Sequence, residues 1–218
     1  KKTAGKKPAA PAKPAIKVDA KMMDGLKAVV AACDIKPKSM SIKCKGDELK
    51  KLKDMHGYRK GQMKAPKGLG TVAVALASKD PKMQSIAAKM LTQSFRSWQN
   101  PSKEDVTQDV ARTLVNALPN LGDYQVRAAA HVAAYAATFA GIEKELFKTL
   151  DGLKDTYAKR AGYQRVMTYG RLKAFGKIKE LATSKESADV RVALKALNEM
   201  YKWTDAEKAI VCPWAQTF

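Results

Sequence analysis

From Val18 onward, apolar residues return every three or four positions. Met22, Leu26, Val29, Val30 and Cys33 fall on one face of a helix. A second stripe, Met83, Ile86, Ala87, Met90, Leu91, Phe95 and Trp98, follows Asp80 and Pro81, a capping residue and a first-turn proline. Val106, Val110, Leu114 and Leu118 make a third stripe, with a cap and first-turn acids expected from Ser102 to Asp105 and an end at Pro119. Asp123 then opens a helix running to Ala140, and Ile142, Leu146, Leu150 and Leu153 mark the next. Residues 155–184 predict two helices broken near Gly170. "ESADVRVALKALNEMY" predicts another, with Val190, Ala193, Leu194, Leu197 and Tyr201 on one side. A short terminal helix is expected from Thr204 to about Val211, ahead of Pro213.

Between the first two stripes, residues 36–67 read as a broken basic region with one short helix from Asp47 to Met55, where Leu49, Leu52 and Met55 share a face. No run alternates convincingly as a strand, and "GLGTVAVALAS" is ambiguous. The pattern therefore predicts an all-α chain in three parts: a Lys/Pro/Ala tail over 1–17, short helices and basic loops over 18–67, and a helical domain over 68–218. The tail, "KKTAGKKPAAPAKPAIK", has almost nothing to bury and three prolines that no helix accommodates, so it is expected to be disordered or partly extended.

The helix from Asp123 poses a packing question. Eight of its residues between Ala128 and Ala140 are alanine. Alanine favours the helix but buries little surface. Such a helix belongs where backbones approach closely, nearly surrounded by neighbours, with Val132, Tyr135 and Phe139 filling the gaps.

Three helices open alike: "DPKMQSIAAKM", "DYQVRAAAHVA" and "ADVRVALKAL". Aligning Met83, Val126 and Val190 brings Ile86, Ala129 and Ala193 into register, then Ala87, Ala130 and Leu194, then Met90, Ala133 and Leu197. A weaker copy starts at "DTYAKRAGYQRV", with Lys159 in the Val126 position, so the spacings are 43, 33 and 31 residues. The D-x-x-V-R-x-A-A opening at Asp123 and "ADVRVALKAL" at Ala188 resemble HEAT or armadillo-type repeats over about residues 70–210. The resemblance implies irregularly stacked helix pairs, an α-solenoid, used as a binding scaffold. A non-repeating helical bundle is the alternative. Some helical-repeat proteins of this shape excise alkylated bases with Trp, Asp and Arg on a concave face. Trp98, Trp203 and Trp214 are present here, but no such motif maps residue by residue.

Charge changes the picture most. The net is +20, from 41 Lys and Arg against 21 Asp and Glu. Residues 1–67 carry +13 of it and 148–185 carry +7, while the stretches between and after are nearly neutral. An excess so placed calls for an anionic partner. The candidate contacts are Lys1, Lys2, Lys6, Lys7 and Lys13 in the tail, and Lys43, Lys45, Lys50, Lys51, Lys53, Arg59 and Lys60 in the basic region. Arg160, Arg165, Arg171, Lys173 and Lys177 form a second group, interleaved with Tyr157, Tyr163, Tyr169 and Phe175.

The expected partner is an acidic protein surface within a multi-subunit complex. The alternative is RNA or DNA, as for a ribosome-associated protein.

Chemistry is sparse. There is no phosphate-binding glycine loop, and His56 and His131 have no carboxylate or cysteine at metal-ligand spacing. The reading is a non-enzymatic chain with no catalytic, cofactor-binding or metal-binding residues. Cys33, Cys44 and Cys212 are odd in number and scattered, so each is expected as a small apolar filler in an intracellular, reducing compartment. No transmembrane segment is expected. A start at Lys1, without Met or an apolar signal region, fits a chloroplast or mitochondrial protein after loss of its transit peptide, and equally a trimmed chain.

Overall fold

The computed structural model describes residues 16–55, 67–96, 105–199 and 204–217. Its first helix, α1 (Ala20–Ala32), starts where the Asp19 carboxylate accepts the Met22 N–H, and it buries Met22, Leu26 and Val29. Two short strands follow, β1 (Cys33–Lys36) and β2 (Ser41–Cys44), paired antiparallel with Cys33 opposite Cys44 and Ile35 opposite Ile42. This corrects the expectation of a strandless chain. The alternation of Cys33 and Ile35 inward with Asp34 and Lys36 outward lasts four residues, too short to be read against a basic background.

The thiol expectation is corrected as well. Cys33 and Cys44 form a disulfide with Cα atoms 4.4 Å apart. That is the close spacing of a directly opposed, non-hydrogen-bonded antiparallel pair, so the strand pairing itself places the sulfurs together. Cys212 is exposed rather than buried. The argument for a reducing compartment from unpaired thiols is thereby removed.

Helix α2 (Glu48–Met55) lies on α1 and buries Leu52. A Cβ at Gly25 would stand 2.5 Å from Met55 Cε, so the glycine lets the two helices approach. The ambiguous apolar run is α3 (Leu69–Leu76), packed by α1, α4 (Pro81–Arg96) and α5 (Gln108–Ala117). Being covered on nearly every side, it is apolar all round and shows no helical period. Asp80 caps α4 through the Lys82 N–H. The cap of α5 is Thr107, which accepts the Val110 N–H, rather than a residue between 102 and 105. Its expected stripe is buried throughout, and it ends in a 3-10 turn over Leu118–Asn120.

The alanine-rich helix is α6 (Asp123–Ala140), followed by Gly141 in the left-handed conformation at φ 70°. It packs against α4, α5, α7 (Glu143–Asp151) and α8 (Thr156–Gly170). Ala129, Ala130, Ala133, Ala134, Ala136 and Ala137 are fully buried beside Val132 and Tyr135. Phe139 departs from the expectation: it is 43% exposed, lying against the Tyr135 ring at the rim.

The break near Gly170 is a 3-10 turn, Arg171–Ala174, before α9 (Phe175–Ala182). In α10 (Ser187–Glu199) the inward residues are Ala193 and Ala196, while Leu194 is 57% exposed. The small residues win the inner face because α8 and α9 both press on it. Helix α11 (Asp205–Ala215) runs through Pro213 instead of stopping before it. Thr204 and Glu207 form a capping box at its start.

Consecutive helices pair, α3 with α4, α5 with α6, α7 with α8 and α9 with α10. In addition α3, α5 and α7 neighbour one another in order, as do α4, α6, α8 and α10. The protein is mostly helical, and no described helix is long and apolar enough to cross a membrane.

Candidate functional site

The first group of sequence-chosen cations falls at the N-terminal end of the fold. Lys43 on β2, Lys45 after it and Lys50 on α2 are exposed. Lys51 meets the Asp47 carboxylate at 2.9 Å, and Lys53 is half-buried. Lys36 and Lys38, which sequence reasoning did not single out, join them on the hairpin. Lys1, Lys2, Lys6, Lys7, Lys13, Arg59 and Lys60 lie outside the described residues, as do His56, Trp98 and Trp203.

The second group is largely occupied within the fold. Arg160 on α8 donates through Nε to Asp189 on α10 at 2.8 Å, and Arg171 pairs with Glu207 on α11. Lys177 on α9 contacts Asp151 and Glu180 and lies over the Tyr163 ring, its side chain only 11% exposed. Tyr163 in turn donates its hydroxyl to Asp151. Burial, joined by the Asp151 bond, raises the Tyr163 phenol above its ordinary value. Lys173 is exposed. Of the interleaved aromatics, Tyr163 and Phe175 are buried, Tyr169 is half-buried against Tyr135, and Tyr157 alone is exposed. These cations therefore tie helices together rather than forming one open face.

Arg165 differs from its neighbours. Its Nε–H donates to Nδ1 of His131 on α6 at 3.0 Å, which leaves the imidazole neutral with its proton on Nε2. Burial, and then the charges of Arg165 and Lys195, push the His131 pKa down to about 4. Among the described residues no carboxylate lies within ion-pair distance of Arg165, although the residue is only partly exposed.

This pair lines a groove of about 330 Å³ between α6 and α8, together with Met40, Thr92, Tyr124, Arg127, Ala128 and Tyr157. Met40 comes from the hairpin turn, where it holds a left-handed φ of 50°. Arg127 organises the walls. Its guanidinium lies 5.6 Å from the Tyr124 ring centroid and 5.1 Å from that of Tyr157, and it donates through Nε to Asp155 at 2.9 Å. Asp155 also caps α8 by accepting the Ala158 N–H at 2.7 Å. Burial acts to raise the Asp155 carboxyl, but the bonds from Arg127 and the backbone outweigh it and hold its pKa below the ordinary value. Tyr124 and Tyr157 remain 54% and 64% exposed.

Sequence reasoning named Arg165 but missed this setting. Its signal was the helical offset Tyr124, Arg127, His131 on one face of α6, which reads equally well as a solvated stripe.

Other features offer less chemistry. A larger cleft of about 650 Å³ between α3, α4 and α5 carries Lys79 as its one charged side chain. Cys33, Cys44 and Glu48 bring donor atoms within 4.8 Å of one another, but the disulfide consumes both sulfurs and leaves a lone carboxylate. Neutral at physiological pH, and with no carboxylate partner among the described residues, His131 is a weak general base. Compared with family models, with curated proteins and with solved structures, the chain matches none.

Proposed function

We propose that the chain is a non-enzymatic scaffold subunit of a larger assembly, built from HEAT- or armadillo-like stacked helix pairs, that docks an acidic protein partner through its lysine-rich N-terminal end. The observation that carries this reading is how the cations divide. Arg112, Arg127, Arg160 and Arg171 end on carboxylates of other helices or helix caps. Lys36, Lys38, Lys43, Lys45 and Lys50 stand exposed on one small hairpin-and-helix unit. Charge left in water at one end of a molecule is available to steer and hold an acidic surface.

Two further features support the scaffold part. The four weak sequence copies fall on α4, α6, α8 and α10, which neighbour one another in that order. Their aligned positions Ile86, Ala129, Gly162 and Ala193 are all buried. Each helix of such a row needs small residues where two neighbours approach, and α6 supplies them.

The test is purification of the native complex at low salt, with absorbance at 260 and 280 nm read before and after nuclease. The expected result is a protein-like ratio with acidic polypeptides retained through nuclease treatment. Substituting Lys43, Lys45 and Lys50 by Glu then releases them. A high ratio that collapses with nuclease, taking the partners with it, overturns the reading in favour of nucleic acid.

A further inference from the structure

Four arginines of the helical body illustrate what a partly covered guanidinium does here. Arg112, Arg127, Arg160 and Arg171 each find a carboxylate. Arg165 is also only partly exposed, yet its partner is a neutral imidazole that takes one of its five N–H groups. Arg165 lines a groove that also carries two exposed tyrosines and whose other surfaces include Met40 and Ala128.

We infer that this groove seats one carboxylate side chain of an acidic peptide segment, bound by the Arg165 guanidinium beside Tyr124 and Tyr157. The inference rests on the acidic-protein reading above and gives it a defined anchor. A guanidinium and a carboxylate match as a planar fork, and exposed Tyr beside Arg is the composition of a protein-binding hot spot. About 330 Å³ suits a side chain and its neighbour rather than a folded element.

The surroundings argue for a protein segment over a nucleic-acid strand. Asp155 and Asp123 both act on Arg127 beside the groove, so the cationic side chain offered to a ligand is Arg165, which suits one carboxylate side chain better than a continuous run of phosphates. Arg127 also lies over one face of each tyrosine ring, which takes that face from a stacking base. Arg127 is a positioning residue: through Asp155 it fixes both tyrosines.

The experiment uses the full chain and a short acetylated, amidated peptide of glutamates around one phenylalanine, followed by calorimetry and by the imidazole proton resonances. Only two histidines are present, and His56→Gln leaves the His131 signals alone in the spectrum. The expected result is saturable binding that moves the His131 signals and raises their titration midpoint, since the bound carboxylate favours the imidazolium. Arg165→Gln weakens binding by about tenfold or more, and Arg165→Lys restores part of it, because charge returns without the fork. Tyr124→Ala with Tyr157→Ala weakens it with Arg165 intact, and thermal melts of every variant register any loss of fold. The same peptide with Gln in place of Glu does not bind.

Binding of the glutamate peptide with unmoved His131 signals and no loss in Arg165→Gln overturns the groove assignment. So does absence of binding. Polyglutamate separates the two readings: if wild-type protein binds it and Lys43→Gln with Lys45→Gln and Lys50→Gln binds it more weakly, the acidic-protein reading stands without the groove. If a single-stranded oligonucleotide binds and neither acidic polymer does, both readings fall.

Discussion

Lys43, Lys45 and Lys50 on the hairpin and α2 stand in water, whereas Arg127, Arg160 and Arg171 on the helical body each end on a carboxylate. The two regions also hold themselves together differently. The N-terminal unit buries few side chains, Met22, Leu26, Val29, Ile35 and Leu52 among them, and adds a disulfide across its only described strand pair. The body surrounds an alanine helix with four others and needs no covalent tie. A total of +20 therefore describes two kinds of positive charge. Arginine, with a planar fork that is less costly to desolvate, ties helices together at Arg112, Arg127, Arg160 and Arg171. Lysine, strongly hydrated, stands mostly outside the fold, with Lys177 the clear exception among the described residues.

That contrast can be broken from the body's side first. His131 has a folded pKa of about 4 against an ordinary value of 6.5. The unfolded chain takes up the proton first, so stability is full above pH 6.5, falls as pH drops toward 4, and loses no more from this group below that. The loss expected across the window is about 3 kcal/mol. Urea unfolding at several pH values checks it, and His131→Gln should flatten that part of the profile. Next comes the disulfide, whose cysteines are eleven positions apart. Cys33→Ser with Cys44→Ser, or reductant on the wild type, is expected to cost about 2–3 kcal/mol by loosening the constraint on the unfolded loop. Circular dichroism should show helix content nearly retained, since α3 to α10 do not depend on the bond.

Overpacking sharpens the same comparison. Ala133→Leu places three extra carbons in a fully buried site and should lower stability by about 1–3 kcal/mol in chemical denaturation. An unchanged midpoint would mean that α6 is not enclosed. The smallest effect belongs to the outer lysines. Lys43→Gln, Lys45→Gln and Lys50→Gln together should change stability by less than about 0.5 kcal/mol while weakening, without abolishing, low-salt binding of polyglutamate.

The stripes of α1, α4, α5 and α7 were readable because one face of each helix meets a core and the other meets water, so burial writes the helical period into the sequence. Where that asymmetry fails, so does the reading. Helix α3 is covered on nearly all sides and gave an ambiguous apolar run. Leu194 was placed inside α10 by its hydrophobicity, but a close helix contact admits only Ala193 and Ala196 there. The hairpin spans four residues per strand, too few for alternation to show. Arg160, Arg165 and Arg171 could be chosen from the sequence as cations, yet their partners lie 29 to 36 positions away, with no local spacing to mark them.

By itself the sequence determined the helices, because propensity, capping and periodicity are local: Asp19, Asp80, Asp155 and Thr204 each start one within a few residues. It also determined that the middle helix needed close neighbours, because alanine can fill a core only where backbones are near. The tertiary structure alone decided which cations remain outside, which thiols meet, and that Arg165 faces an imidazole where the others face carboxylates. Those outcomes depend on which residues the packing brings within a few ångströms, and helix–helix contacts between distant segments set that distance.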